Sequence, residues 1–445
     1  MIKRLIDWHL ARWKHSKNRT PLLIRGARQV GKTHAVRKLG ESFKRVVEVN
    51  FELAKDIHFI FQKDLHPERI LKALEAHVGG KIVPGETLLF FDEIQEVPEA
   101  ITSLRYFYEL MPQLHVIAAG SLLDFTLEKI GIPVGRVASM YMYPLSFMEF
   151  LAASGQGILV EAILDGNVPF SETVHDRLIN FVGEYLAIGG MPQVVAEWVS
   201  SKNAKECFNI HQTLIGNYRQ DFEKYGKKHQ LPYLNALYRQ IPHFIGQQFN
   251  YGNIHGEYRK RELAPCIDLL VKANAIHQIY HTAGNGLPIG AEVNLEWFKL
   301  IFLDVALSQS ILGLDLASWF SEPGAEFVNR GSATEAFVGQ ELLAYAHPQQ
   351  KAELFFWKRE AKSSNAEVDY LFQQGQHILP IEVKSGEKGA LKSMHLFLQE
   401  HPNSPHGICF SARPAYKMEK VDGRPLYSVV SLAHEEQKQS LRALI

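Results

Sequence analysis

A ten-residue stretch, Ile24 to Thr33 (IRGARQVGKT), constrains the fold of this chain more than any other feature. Glycine at 26 and 31, lysine at 32 and threonine at 33 fit the spacing G-x-x-x-x-G-K-[ST]. Glycine at both ends lets the backbone curl tightly enough for its N–H groups to point inward round a phosphate. Such a loop belongs between a buried strand and a helix. Pro21 to Ile24 reads as the strand, and His34 to Leu39 continues a helix that starts at about Lys32. That helix turns the positive end of its dipole toward the anion. The expected fold class is therefore α/β, with a parallel sheet at the N-terminal end. Gly26, Ala27, Arg28, Gln29, Val30, Gly31, Lys32, Thr33 and His34 are the residues expected around a bound nucleotide. Lys32 would reach the β- and γ-phosphates, and the Thr33 hydroxyl would ligate Mg²⁺. A plain glycine-containing turn is the alternative, and the flanking strand and helix weigh against it.

Two further segments supply what phosphoryl transfer needs. Glu86 to Glu93 (ETLLFFDE) is an apolar run ending in two carboxylates, the pattern of a buried parallel strand that delivers acids to its C-terminal end. Asp92 would hold Mg²⁺ through water, and Glu93 would polarise the attacking water. The alternative is a strand that ends in two solvated acids. The next apolar strand, Leu114 to Ala119, ends in Gly120-Ser121. Ser121 would contact the γ-phosphate or the attacking water, would cap the following helix, or would do both. Arg136, in a loop before MYMYPLSFMEF, is either an arginine finger or one half of a structural salt bridge.

The net formal charge of the 445 residues is zero, but it is unevenly spread. Residues 1–45 hold 13 Lys/Arg against Asp7 and Glu41, a balance of +11; the remainder holds 35 against 46, a balance of −11. The first helix, with Arg4, Arg12, Trp13, Lys14, Lys17 and Arg19, is either a nucleic-acid or partner face or an amphipathic helix packed on the core. Three scattered cysteines, Cys207, Cys266 and Cys409, form no metal or disulfide pattern, which suits a reducing, cytoplasmic setting. No apolar run is long enough to span a membrane, and the N-terminal residues lack the apolar core of a signal peptide. The 20 histidines show no HExxH or HxH spacing, so a zinc site is not expected.

The middle reads as helical. Phe181 to Ile188 and Gln193 to Trp198 flank the helix-breaking Gly189-Gly190-Met191-Pro192. Residues 231–283 fit a winged helix-turn-helix: helices over about 233–245 and 257–273, then a β-like AIHQIYHT. Arg259, Lys260 and Arg261 open the second helix, where a groove-reading helix would touch DNA, and packing or protein contact is the alternative.

Near the end, Asp369, Glu382 and Lys384 form D-x₁₂-E-x-K. In a strand, Glu382 and Lys384 share one face. A loop over 373–376 would pair Glu367 with Glu382 and bring Asp369 to that face. Acids crowded on one sheet face repel unless a cation sits among them. A divalent ion taking oxygen ligands would fit, with Glu335 adding a ligand from a helix over about 332–345 that also carries Glu341. The expected metal ligands there are Glu335, Asp369 and Glu382, with Lys384 orienting the water or stabilising developing charge. A surface hairpin with alternating charges is the bland alternative.

GARQVGKT, LLFFDEIQ, AAGSLL, Gly135-Arg136 and YPLSFMEFL, in this order and spacing, resemble a group of bacterial and archaeal AAA-type ATPases. That group carries a C-terminal domain of unknown function with a restriction-endonuclease-like, PD-(D/E)-x-K core. The resemblance continues through Tyr218-Arg219-Gln220-Asp221, FKLIFLDVALSQ, EVDYLF and IEVKSG, so it covers essentially the whole chain. It implies four regions: an AAA-like ATPase domain (1–155), a helical lid or linker (156–228), a winged-helix-like domain (229–312) and a nuclease-like α/β domain (313–445). It implies ATP and Mg²⁺ as cofactors, with Mn²⁺ as an alternative ion at the nuclease-like site. It also implies DNA as a partner. Two functions stay open: an ATPase that binds and cleaves DNA, or a nucleotide-dependent switch whose C-terminal domain binds without cutting. A remodeller of protein partners is a third, and self-association is undecided.

Overall fold

The structure, a computed structural model, describes residues 2–131, 135–166, 170–360, 366–384 and 391–445. Ser385 and Gly386, the end of the IEVKSG stretch, lie outside them. The chain divides into two compact units, one built from Lys3–Tyr143 with His347–Lys351, the other from Pro144–Ala346 with Ala352–Ile445.

The first unit is a five-stranded, all-parallel sheet in the order β2-β3-β4-β1-β5. Its strands are β1 (Leu22–Arg25), β2 (Arg45–Asn50), β3 (Thr87–Asp92), β4 (His115–Ala119) and β5 (Ala138–Tyr141). Every residue of β3 and β4 is buried, as expected of parallel strands covered on both faces. Leu23, Leu89, Phe91, Val116 and Ala118 point to one side, into a core with Phe51, Phe61, Leu104 and Phe107. Leu22, Ile24, Leu88, Phe90 and Ile117 alternate with them and are equally buried. Helix α1 (Leu5–His15) buries Leu5, Ile6, Leu10 and Trp13, and α2 (Lys32–Gly40) follows the phosphate loop directly.

The second unit is built on a mixed eight-stranded sheet in the order β12-β13-β11-β10-β9-β8-β6-β7. Its strands are β6 (Ile276–Thr282), β7 (Val293–Phe302), β8 (Leu354–Lys358), β9 (Glu367–Gln374), β10 (His377–Lys384), β11 (Gly407–Ser411), β12 (Tyr416–Met418) and β13 (Val421–Pro425). Strand β6 pairs antiparallel with β7 and parallel with β8. The boundary expected between 312 and 313 therefore runs through one continuous sheet. Helices Leu231–Gln240 and Lys260–Lys272 precede the β6–β7 hairpin. The first ends five residues earlier than expected because Pro242 has no N–H to continue it. The Gly331–Ala344 helix is buried almost all round, including Thr334, Gln340 and Glu341. Among the described residues, no helix is long and apolar enough to cross a membrane.

The β9–β10 hairpin corrects the expected register. The turn is only Gly375-Gln376, and the ladder runs from His377 opposite Gln374 to Ile381 opposite Tyr370. Continued one step, it sets Glu382 opposite Asp369, not Glu367. The slip is two residues, so every side chain keeps its expected face.

Candidate active site

The phosphate loop takes the conformation its glycines were expected to serve. Gly31 has φ 98° and Gly26 φ 144°. A Cβ on Gly26 would lie 2.2 Å from the carbonyl oxygen of Met142, so the loop packs against the chain leaving β5 at a distance only glycine allows. Lys32 is buried, and its Nζ donates to the carbonyls of Gly26 (3.0 Å) and Ala27 (2.7 Å). Burial pulls the Lys32 ammonium down to about 8, with Glu93 and Asp92 acting against that fall.

Thr33 Oγ1 donates to Asp92, 3.2 and 3.1 Å from the two carboxylate oxygens. The β2-β3 register sets Asn50 beside Asp92, and Asn50 Nδ2 donates to Asp92 Oδ2 at 3.2 Å. Burial and the neighbouring Glu93 raise the Asp92 carboxyl above its usual range, while the Thr33 hydrogen bond opposes them. A hydroxyl and a carboxylate converging at the start of a helix form the hard-oxygen set that suits Mg²⁺.

Glu93 follows β3 with a left-handed backbone, φ 49°. Its Oε2 accepts from Gln95 Nε2 at 2.6 Å, Ser121 Oγ at 3.3 Å and the Ser121 N–H at 3.4 Å. Ser121 does not cap the following helix. The helix Leu123–Ile130 has Leu122 at its N-cap, with no side-chain cap. Gly120 makes room for this arrangement, since a Cβ there would lie 2.0 Å from Gln95 Oε1. That oxygen is buried without a hydrogen-bond partner.

Other expected residues have different neighbours. Arg136 Nε pairs with Glu109 at 3.2 Å, the salt-bridge alternative. Gln29 is exposed with φ 64°, Arg28 is half-buried and His34 is exposed. The basic residues in and beside α1 are divided: Arg12 and Lys17 are exposed, while others reach neighbouring backbone. Arg4 is buried and donates to the carbonyls of Val30, inside the phosphate loop, and Tyr143, both at 2.8 Å. Lys14 Nζ donates to the Ser42 carbonyl at 2.7 Å, and Arg19 to those of Pro112 and Gln113. Arg4, Asn50 and Gln95 were not singled out as site residues from sequence. Gln95 had a signal, standing two residues beyond Glu93, whereas Arg4 reaches a loop 26 residues away and left none.

The C-terminal carboxylates are arranged differently from the expectation. Asp369 Oδ2 accepts the Val383 N–H at 2.7 Å, and Lys384 Nζ pairs with Glu382 Oε2 at 2.8 Å. The cation among the acids is Lys299 of β7, fully buried, with Nζ 2.6 Å from Glu367, 3.1 Å from Glu335 and 3.9 Å from Asp369. Among the described residues, no group of three or more His, Cys, Asp or Glu side chains could hold a metal ion. The set Glu335, Asp369 and Glu382 thus does not fit a divalent cation, because Lys299 lies against Glu335 and Asp369, Asp369 Oδ2 accepts the Val383 N–H, and Glu382 is paired with Lys384. Burial raises Glu335 and Glu382 to about 7 each, while Lys299 and Lys384 pull the other way. The signal for Lys299 was a lone charge in the apolar strand Trp297 to Leu303. Glu341 faces elsewhere: its Oε1 accepts the Phe147 N–H at 2.8 Å.

Comparison with known proteins agrees with this geometry at the N-terminal end. Residues 18–151 match the model of an AAA domain. Residues 180–318 and 330–426 match two domains of unknown function, DUF8612 and DUF4143. No curated protein matches the chain. Among solved structures, the chain is similar to the Walker-type ATPase PABY2304 of Pyrococcus abyssi, at 16% identity over 70% of this chain and 96% of that one, with a TM-score of 0.45. PCH-2 of C. elegans is similar at 13% identity over 46% of this chain and 65% of that one, with a TM-score of 0.26. The AAA-domain match and the phosphate loop on a parallel sheet identify the N-terminal part as a P-loop ATPase domain.

Proposed function

We propose that this chain hydrolyses ATP in a Mg²⁺-dependent reaction at Lys32, Thr33, Asp92, Glu93 and Ser121, and that its C-terminal sheet is a binding module, not a nuclease. The observation that carries the first part is the joint placement of Thr33 on Asp92 and Ser121 on Glu93 at the C-terminal ends of adjacent strands. Thr33 and Asp92 would hold the metal, which when bound neutralises charge on the β- and γ-phosphates. Lys32, mostly charged at neutral pH with its shifted value of about 8, would exchange its loop carbonyls for phosphate oxygens. Glu93 would take a proton from the attacking water as the water oxygen bonds to the γ-phosphorus and the bridging oxygen leaves with ADP. Gln95 and Ser121 would hold that carboxylate in place. Arg136 is left out of this set because Glu109 holds it.

Phosphate release tests this. Thr33→Ala and Asp92→Asn should each remove most of the Mg²⁺-dependent turnover while metal-free nucleotide binding persists. Turnover indifferent to Mg²⁺ or to both substitutions would overturn the assignment. The second part rests on Lys299 among the C-terminal acids, and it favours the switch reading. For that reading the ligand of the module is DNA or protein. The helices Leu231–Gln240 and Lys260–Lys272 with the β6–β7 hairpin are the candidate DNA contact, although Lys260 pairs with Glu296 at 3.5 Å. Duplex DNA that stimulates phosphate release would favour the DNA-coupled ATPase over the switch.

A further inference from the structure

We propose that Lys299 is a built-in counter-ion occupying the position a divalent cation would need, so that the acidic face of the C-terminal sheet closes without metal and cleaves no phosphodiester. The inference rests on and deepens the non-nuclease reading of the C-terminal sheet given above, and it is independent of ATP hydrolysis at the phosphate loop. Its basis is how the carboxylate oxygens are used. Glu367 gives Oε1 to Lys299 at 2.6 Å and has Lys358 3.5 Å from Oε2. Glu335, from the Gly331–Ala344 helix, gives Oε1 to Lys299 at 3.1 Å. Asp369 turns Oδ1 toward Lys299, at 3.9 Å, and Oδ2 to the Val383 N–H. Glu382 is paired with Lys384. Four carboxylates from one helix and two strands thus meet three ammonium groups.

An ion coordinated by Glu335, Glu367 and Asp369 together would need oxygens at about 2.0–2.6 Å. The point between those three side chains is already filled by the Lys299 ammonium, which is fully buried and lies 5.2 Å from the Phe356 ring centroid. The lysine cannot swing into water from there without taking its ammonium away from Glu335, Glu367 and Asp369, which strongly disfavours its departure. Lysine here is a tethered cation: it neutralises the acids, but it provides no open coordination position for a water or a phosphate oxygen. Lys384, the lysine expected to orient a nucleophile, is likewise held by Glu382.

The experiment is Mn²⁺ titration of the full chain carrying Asp92→Asn, which removes the phosphate-loop metal contact. The expected result is an isotherm that further substitution of Asp369→Asn leaves unchanged, together with no Mn²⁺-dependent nicking of plasmid DNA. Lys299→Met in the same background should melt at a lower temperature and regain that loss on adding Mn²⁺, and adding Asp369→Asn should abolish the recovery. Mn²⁺ binding with Lys299 in place that disappears with Asp369→Asn would overturn the proposal. So would a Lys299→Met chain that folds and whose melting Mn²⁺ does not change. If Lys299→Met does not fold, the titration with Lys299 present decides alone.

Discussion

At the residue scale the proposed chemistry turns on Glu93, whose backbone is left-handed. A left-handed residue without glycine's freedom is uncommon and costs of order 1 kcal/mol or more. Here it aims the carboxylate at Gln95 and Ser121, one strand over. Glu93→Gln should therefore lower the turnover of ATP by roughly 10²–10⁴-fold, the usual loss of a general base, with nucleotide affinity little changed. Ser121→Ala should lower kcat by a smaller factor and leave the ATP Kd alone. Steady-state kinetics with equilibrium binding separates these outcomes, and a Ser121→Ala defect confined to Kd would contradict the placement. The loop residues were legible because their chemistry fixes their spacing within ten positions. Lys299 was not, since its partners lie 36 to 70 residues further along and meet it only through the sheet. A divalent ion was expected among the acids, and the chain's own Lys299 stands there instead.

At the scale of elements, α1 was open to two readings, a nucleic-acid or partner face and a helix packed on the core. Arg4 at its start closes on Val30 of the phosphate loop and on Tyr143 just beyond β5, which accords with the second. Two hydrogen bonds from a buried charged donor contribute about 3 kcal/mol together. Arg4→Ala should lower the melting temperature and raise KM for ATP without an equal fall in kcat. An unchanged KM would show that α1 does not shape the loop. The strands of the first unit were readable because both faces are buried and their apolar runs are unbroken. The β9–β10 register was not, because two residues of the expected four-residue loop at 373–376, Gln373 and Gln374, extend the strand instead. Its face assignments survived only because the error was even. Nothing in the local pattern showed that the β6–β7 hairpin extends the same sheet as the C-terminal strands.

At the scale of the whole chain, each unit keeps its own polar centre. In the second unit, Asp304 accepts the N–H groups of Gly190, Ala306 and Leu307, while Glu341 accepts from Phe147. These contacts tie the Gly-Gly-Met-Pro turn to Asp304 and the YPLSFMEF stretch to Glu341, meetings that were invisible in the sequence. Burial raises Glu341 from 4.5 to about 8 and Asp304 from 3.8 to about 6. Between pH 4.5 and 8 the unfolded chain has released the Glu341 proton and the folded chain retains it, so rising pH favours unfolding, by up to roughly 1.4 kcal/mol per unit. Glu341→Gln keeps an acceptor for Phe147 and should flatten this fall. Urea unfolding at pH 5 and pH 8 reads it, and an equal slope in both proteins would contradict the assignment. At the first unit, the proposed function is that the phosphate loop hydrolyses ATP with Glu93 as base. A single-turnover measurement of phosphate release by the unaltered chain and by Glu93→Gln, at saturating ATP and Mg²⁺, tests it most directly. The former should release phosphate and the latter essentially none, with both binding ATP equally. Equal release by the two proteins would contradict it.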